Sequence, residues 1–263
     1  MFALRLPRHC AAAALIAAVL CPPVSAYAQG QAYACSDKAK LARLSAPLFH
    51  MARRVAAGQP LTIVALGSSS TAGAGASSPD ASYPSRLAVE LKSRFPALSV
   101  TVVNRGVNGE EAADMLARFD QGAEADRPDV VLWQLGTNLV LRDNPLGPFD
   151  RLIQEGLARM KALGADVVLI DPQFAPKVIV KAEADDMVTL IAEAATKRGV
   201  DLFPRFEIMR IWHQQESMPF DAFLAPDQLH MNDWGYACLA KLLGAAMAEA
   251  ATRPIAAARA TRP

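Results

Sequence analysis

Three adjacent serines, Ser68, Ser69 and Ser70, stand between Gly67 and Gly73, directly after the apolar run 61–66. A short β-prone run closing on glycines and hydroxyls reads as a buried strand ending in a tight loop. Such a tip can expose a nucleophile, cradle a phosphate or simply turn the chain. A serine nucleophile needs a base, a carboxylate that orients the base, and donors for an oxyanion. The chain has 4 histidines. His9 lies in an N-terminal leader, His50 in the first predicted helix, and His213 has no acidic residue at a useful spacing. His230 follows Asp227 in the run Asp-Gln-Leu-His. At that spacing a carboxylate can hold one ring nitrogen while the other faces outward. Alone, Asp-x-x-His also describes a solvated loop pair. Joined to the serine tip and to the Asn-bearing loops at 104–109 and 136–138, it points to acyl transfer.

The elements between these residues must bring them together. Apolar runs at 61–66, 98–103, 129–134, 166–170 and 200–203 read as five strands. Helical spacing covers about 37–57, 84–95, 110–119, 149–163, 180–198 and 232–250. Ser36-Asp37 can cap the first of these helices, and Gly58 and Pro60 stop it. Alternation of strand and helix predicts an α/β fold, a three-layer α/β/α sandwich around a five-stranded parallel sheet of the flavodoxin-like kind. With strand order 2-1-3-4-5, ligands sit beyond the carboxyl ends of strands one and three. The Gly-, Ser- and Asn-rich loops after strands one, two and three converge there.

Residues 1–28 read as a secretory signal peptide: Arg5 and Arg8, an apolar core from Cys10 to Cys21, and Ala26-Tyr27-Ala28 as the cleavage site. The apolar run is too short for a membrane span. Export to the periplasm or beyond follows, with one domain over 29–251 (core about 60–250) and a C-terminal tail over 252–263. With 27 basic and 26 acidic residues and no basic run, nucleic acid and anionic membrane surfaces are excluded as main partners. Cys35 and Cys238 remain after processing. In an oxidising compartment they form either a disulfide or two buried thiols.

The motifs resemble those of the SGNH hydrolases, the GDSL esterase/lipase superfamily. Gly67-Ser68-Ser69-Ser70-Thr71-Ala72-Gly73 corresponds to the first block, Asn104-Arg105-Gly106-Val107-Asn108-Gly109 to the second, Gly136-Thr137-Asn138 to the third and Asp227-x-x-His230 to the last. The four blocks occur in the family's order over about 60–250. The resemblance implies a serine esterase without metal or other cofactor, with Ser69 as nucleophile, His230 as base and Asp227 as its orienting carboxylate. It also implies an oxyanion hole made by the Ser69 and Gly106 amides and the Asn138 side chain. Ser68 and Leu139 stand where the family usually has aspartates, which leaves loop support and substrate preference open.

Substrates consistent with this reading are O-acylated envelope carbohydrate, lysophospholipid or small esters. An acyltransferase passing the acyl group to a sugar would use the same triad. A nucleotide-binding module is disfavoured, because neither a Gly-Lys-Ser/Thr P-loop nor Gly-x-Gly-x-x-Gly is present. The segment 206–224, with Met209, Trp212, Met218, Phe220 and Phe223, forms either an apolar lid or ordinary packing on the sheet.

Overall fold

The computed structural model describes residues 33–36 and 40–253. The expected signal peptide lies outside them. Five parallel strands, β1 (Leu61–Gly67), β2 (Val100–Gly106), β3 (Val130–Gln134), β4 (Asp166–Ile170) and β5 (Asp201–Phe203), form one sheet in the order β2-β1-β3-β4-β5. β1 and β3 are buried almost throughout, as continuous Val/Ile/Leu runs require when helices cover both faces. The pairing aligns Gly67 with Gly106 and Leu66 with Trp133, so the loops after β1, β2 and β3 leave the sheet at one level.

α1 (Phe49–Ala57) and α3 (Tyr83–Arg94) pack with α10 (Asp233–Thr252) on one face. On the other face α6 (Phe149–Ala162) packs with α4 (Ala112–Ala117) and α8 (Ala184–Arg198). Four short or irregularly placed helices complete the fold: α2 (Ser69–Ala72), α5 (Thr137–Leu141), α7 (Pro176–Ile179) and α9 (Arg205–Gln214). Among the described residues no helix is long and apolar enough to cross a membrane.

The helix expected over 37–57 begins only at Phe49. Pro47 removes an amide donor and biases its predecessor away from helical geometry. Carboxylates at the starts of strands take the amides just upstream of α1 and those of its first turn. Asp201 accepts from the Ser45 and Ala46 amides at 2.8 and 3.0 Å, and Asp166 accepts from those of His50 and Met51 at 2.8 and 3.0 Å. Leu44 and Leu48 are buried all the same, so their spacing reported burial and not helicity. At the other end, α10 reaches Thr252, and Arg253 donates to the Leu44 and Ser45 carbonyls at 2.7 and 2.9 Å. The first two residues of the expected tail therefore belong to the fold, and 254–263 lie outside the described residues.

Cys35 and Cys238 are joined by a disulfide with Cα atoms 5.3 Å apart, bridging 203 positions of sequence. Nearby, the Trp234 indole donates to the Tyr33 carbonyl at 3.1 Å. Closing so long a loop contributes about 3–5 kcal/mol in the chain-entropy view. Intact-mass analysis of the oxidised protein should find no alkylatable thiol on either residue. Cys35→Ser should lower the thermal midpoint. Two alkylatable thiols in native protein would contradict the bridge.

Candidate active site

β1 ends at Gly67, Ser68 stays extended, and Ser69 opens the single-turn helix α2. Of the three serines, Ser68 and Ser70 are buried, and only Ser69 is partly open to solvent. The Ser69 hydroxyl lies 2.8 Å from His230 Nε2, and His230 Nδ1 lies 2.5 Å from Asp227 Oδ2. The second Asp227 oxygen accepts from the Leu229 and His230 amides, each at 3.0 Å. This loop is closed by an Ala225 amide bond to the His230 carbonyl at 2.8 Å and a Leu224–Met231 bridge. Asp227 therefore cannot swing away from the ring. Partial burial pushes the Asp227 carboxyl up, but the hydrogen bonds from His230 and Leu229 outweigh it and hold the group below the ordinary carboxylate range. With Asp227 ionised, Nδ1 keeps its proton and Nε2 presents a lone pair to the Ser69 hydroxyl. The side chain of His230 is 14% exposed and that of Asp227 41%, so the ring is sheltered while its partner touches water.

The serine turn and the histidine loop meet at Gly75. With φ at +86°, it lies so close that a Cβ would come within 2.6 Å of the Met231 carbonyl and 2.9 Å of His230 Cβ. Ser77 adds bonds from its amide and hydroxyl to Asp233 at 2.8 and 2.5 Å, and Tyr236 donates to the Ala74 carbonyl at 2.7 Å. Both halves of the site thus hang on the first turns of α10.

Gly106 differs from what the resemblance implies. It ends β2 beside α2, where a Cβ would lie 2.1 Å from the Ala72 nitrogen, and its amide donates to Asn104 Oδ1 at 2.9 Å. That amide is committed within the loop and is not free for a ligand. Asn104 also donates to the Thr71 carbonyl at 2.8 Å. The second block therefore supports the serine turn from beneath. Asn138, on α5, donates to the Glu110 carbonyl at 2.8 Å, leaving the second hydrogen of its amide nitrogen uncommitted. Leu139 is buried in the core. In the segment 206–224, Met209, Trp212, Met218 and Phe223 are buried, and only Phe220 is partly exposed, stacked on His213 at 3.9 Å between ring centres. That segment is mainly core packing.

The doubly covered parallel sheet, with these motifs at its carboxyl edge, places the molecule in the SGNH hydrolase superfamily. Residues 34–253 match the model of the non-GDSL lipase-like family, and the chain belongs to that family. It is 30% identical over 107 residues to an arylesterase of Vibrio mimicus, which covers 41% of this chain and 53% of that one. It is also 27% identical over 172 residues to an acetylxylan esterase of Geobacillus stearothermophilus, covering 57% and 74%. The chain thus spans about half the length of the arylesterase. A solved two-domain esterase active on acetylated mannans superposes with a TM-score of 0.70 at 20% identity, over 85% of this chain and 59% of that one, which is a likeness of fold.

Sequence reasoning missed two fully buried ionisable residues, Asp171 and Arg205. Arg205, at the start of α9, is fully buried, and its Nε donates to the Asp171 carbonyl at 2.9 Å. The Phe206 amide donates to Asp171 Oδ1 at 2.9 Å. Burial pushes the Asp171 carboxyl up to about 7 and pulls the Arg205 guanidinium down. The folded state then holds the Asp171 proton more tightly than the unfolded chain. This group's contribution to stability therefore falls as pH rises from about 4 to about 7. Asp171→Asn keeps an oxygen for the Phe206 amide but cannot ionise. Denaturant titrations across that window should show the variant losing less stability than the native chain. Equal losses would rule out the linkage.

Proposed function

We propose that this protein is an exported serine esterase that cleaves short-chain acyl esters, with acetyl groups on carbohydrate as the favoured substrate class. The observation that carries the reading is the continuous hydrogen-bond path from the Ser69 hydroxyl through His230 to Asp227. As Ser69 Oγ attacks the acyl carbon, His230 Nε2 takes its proton, and Asp227 stabilises the imidazolium without itself becoming protonated. The same ring proton passes to the departing alcohol, leaving an acyl-serine. Water then repeats the sequence in reverse and releases the acid.

The developing oxyanion needs preorganised donors. The Ser69 amide, at the start of α2, and the uncommitted Asn138 hydrogen are two. The resemblance gives Gly106 as the third, and the loop that follows it offers the Asn108 and Gly109 amides as candidates in its place. The Gly106 and Val107 amides are bonded to Asn104 Oδ1 and to the Gly67 carbonyl, whereas the Asn108 and Gly109 amides have no hydrogen-bond partner among the described residues. Gly109 also precedes Glu110, whose carbonyl holds Asn138. Support for acetylated carbohydrate comes from the relatives, one an acetylxylan esterase and another an esterase active on acetylated mannans. The disulfide accords with an oxidising compartment and hence with export.

A fluorophosphonate should label Ser69, and Ser69→Ala should reduce kcat by roughly 10⁴–10⁶-fold. A label on Ser68 or Ser70 would overturn the assignment. Asn138→Ala should lower kcat by about 10²–10³-fold with KM little changed, because its contact strengthens in the transition state. A folded Asn138→Ala variant with native kcat would remove that residue from the site. Turnover of p-nitrophenyl esters should fall as the acyl chain lengthens and should survive a chelator. Loss with chelator and recovery with zinc would replace the triad reading by a metal-dependent one.

A further inference from the structure

We propose that Gln134 is the positioning residue of the Ser69 turn, a neutral anchor supplied from β3 where residue 68 is serine and not aspartate. Gln134 ends β3 and is fully buried. Its Oε1 accepts from the Ser68 amide and the Ser68 hydroxyl, each at 3.0 Å, and from the Thr71 hydroxyl at 3.2 Å. Those donors lie on both sides of Ser69, so one oxygen brackets the proposed nucleophile. The Ser68 amide can only donate, which fixes the carboxamide with its oxygen toward the turn. Thr71 Oγ1 also lies 3.3 Å from the Tyr83 hydroxyl, which ties the turn to α3. The Nε2 end of Gln134 makes no hydrogen bond among the described residues. The side chain is thus held for its oxygen.

Neutrality is the second half of the inference, and it rests on the serine-esterase reading. A carboxylate at 134 would accept the same bonds but set a negative charge in a buried site one residue from the Ser69 amide. The reaction builds its own negative charge at that amide, and in a low-dielectric interior the two would repel strongly. A glutamine offers the acceptor without the charge.

The test uses the full-length processed protein with Gln134→Met, similar in size and lacking the oxygen, and Gln134→Glu. Gln134→Met should lower kcat roughly 10–10²-fold while KM stays within about threefold, as expected when a reacting atom is displaced without loss of binding. Amide hydrogen exchange across residues 66–74 should rise in the same variant. For Gln134→Glu, kcat relative to the native enzyme should fall as pH rises through the titration of the introduced carboxyl, because its neutral form retains the acceptor and its ionised form adds the charge. Native exchange and native kcat in Gln134→Met would overturn the proposal. So would a deficit that vanishes when rates are normalised to titrated, folded sites, or a pH-independent ratio for Gln134→Glu. If the native protein cleaves no ester at all, the esterase reading fails along with the catalytic role of Gln134. If it is active and only the exchange and kcat predictions fail, the positioning role alone is lost.

Discussion

The site depends on how closely α2 can lie against the end of β2. That approach leaves no room for a Cβ at position 106, where one would sit 2.1 Å from the Ala72 nitrogen. With Gly106 in place, Asn104 reaches the Thr71 carbonyl, and the single-turn helix is held at a fixed height above the sheet. The pairing of Gly67 with Gly106 sets that height, and Ser69 follows two residues later. A larger residue at 106 would push the serine turn toward solvent and away from His230 before any reacting group was touched. Backbone proximity, more than any side-chain pair, fixes the coordinates of the reaction centre.

Around this fixed turn the charges fall into two layers with opposite exposure. Asp227 is close to water, and its hydrogen bonds keep it ionised. Asp171 and Arg205 are buried, and burial works against charge on both. Between the layers lie neutral polar groups, Gln134, Thr71 and Tyr83, which carry hydrogen bonds without net charge. Burial raises the Tyr83 phenol to about 12, so it retains its proton and remains a donor. Asp227 is the carboxylate hydrogen-bonded to the His230 ring, the arrangement that a proton-accepting histidine needs.

Much of this was legible in the sequence, because strand tips and turn residues carry local signals. The strand at 166–170 is readable to the residue, and the observed sheet order is that of the flavodoxin-like arrangement that the alternation suggests. Asp227 and His230 are readable as a pair from their spacing, whereas the choice of Ser69 among three adjacent serines comes from the family resemblance. What escaped was the part that depends on distant packing. Leu44 and Leu48 had helical spacing, yet the Asp201 carboxylate of β5 captured the Ser45 and Ala46 amides, and the helix starts only where Asp166 of β4 caps its first turn. The role of Gly106 turned on a neighbour more than thirty residues away in sequence. Nothing local marked Gln134 or Arg205, since a buried glutamine or arginine looks in sequence like any surface one.

The last long helix has a consequence for when the molecule becomes competent. Ser69 is made early and waits for a partner 161 residues later, and the bonds from Ser77 and Tyr236 that steady the serine loop also belong to α10. A chain emerging from its N-terminus can fold β1, β2 and β3 around the serine turn and still lack any base beside it. The final helix carries Cys238 to Cys35 and holds the serine loop through Asp233 and Tyr236, and the loop just before it brings the His230 imidazole. A molecule that ends before residue 230 carries the Ser69 hydroxyl but lacks the imidazole that lies beside it in the complete fold.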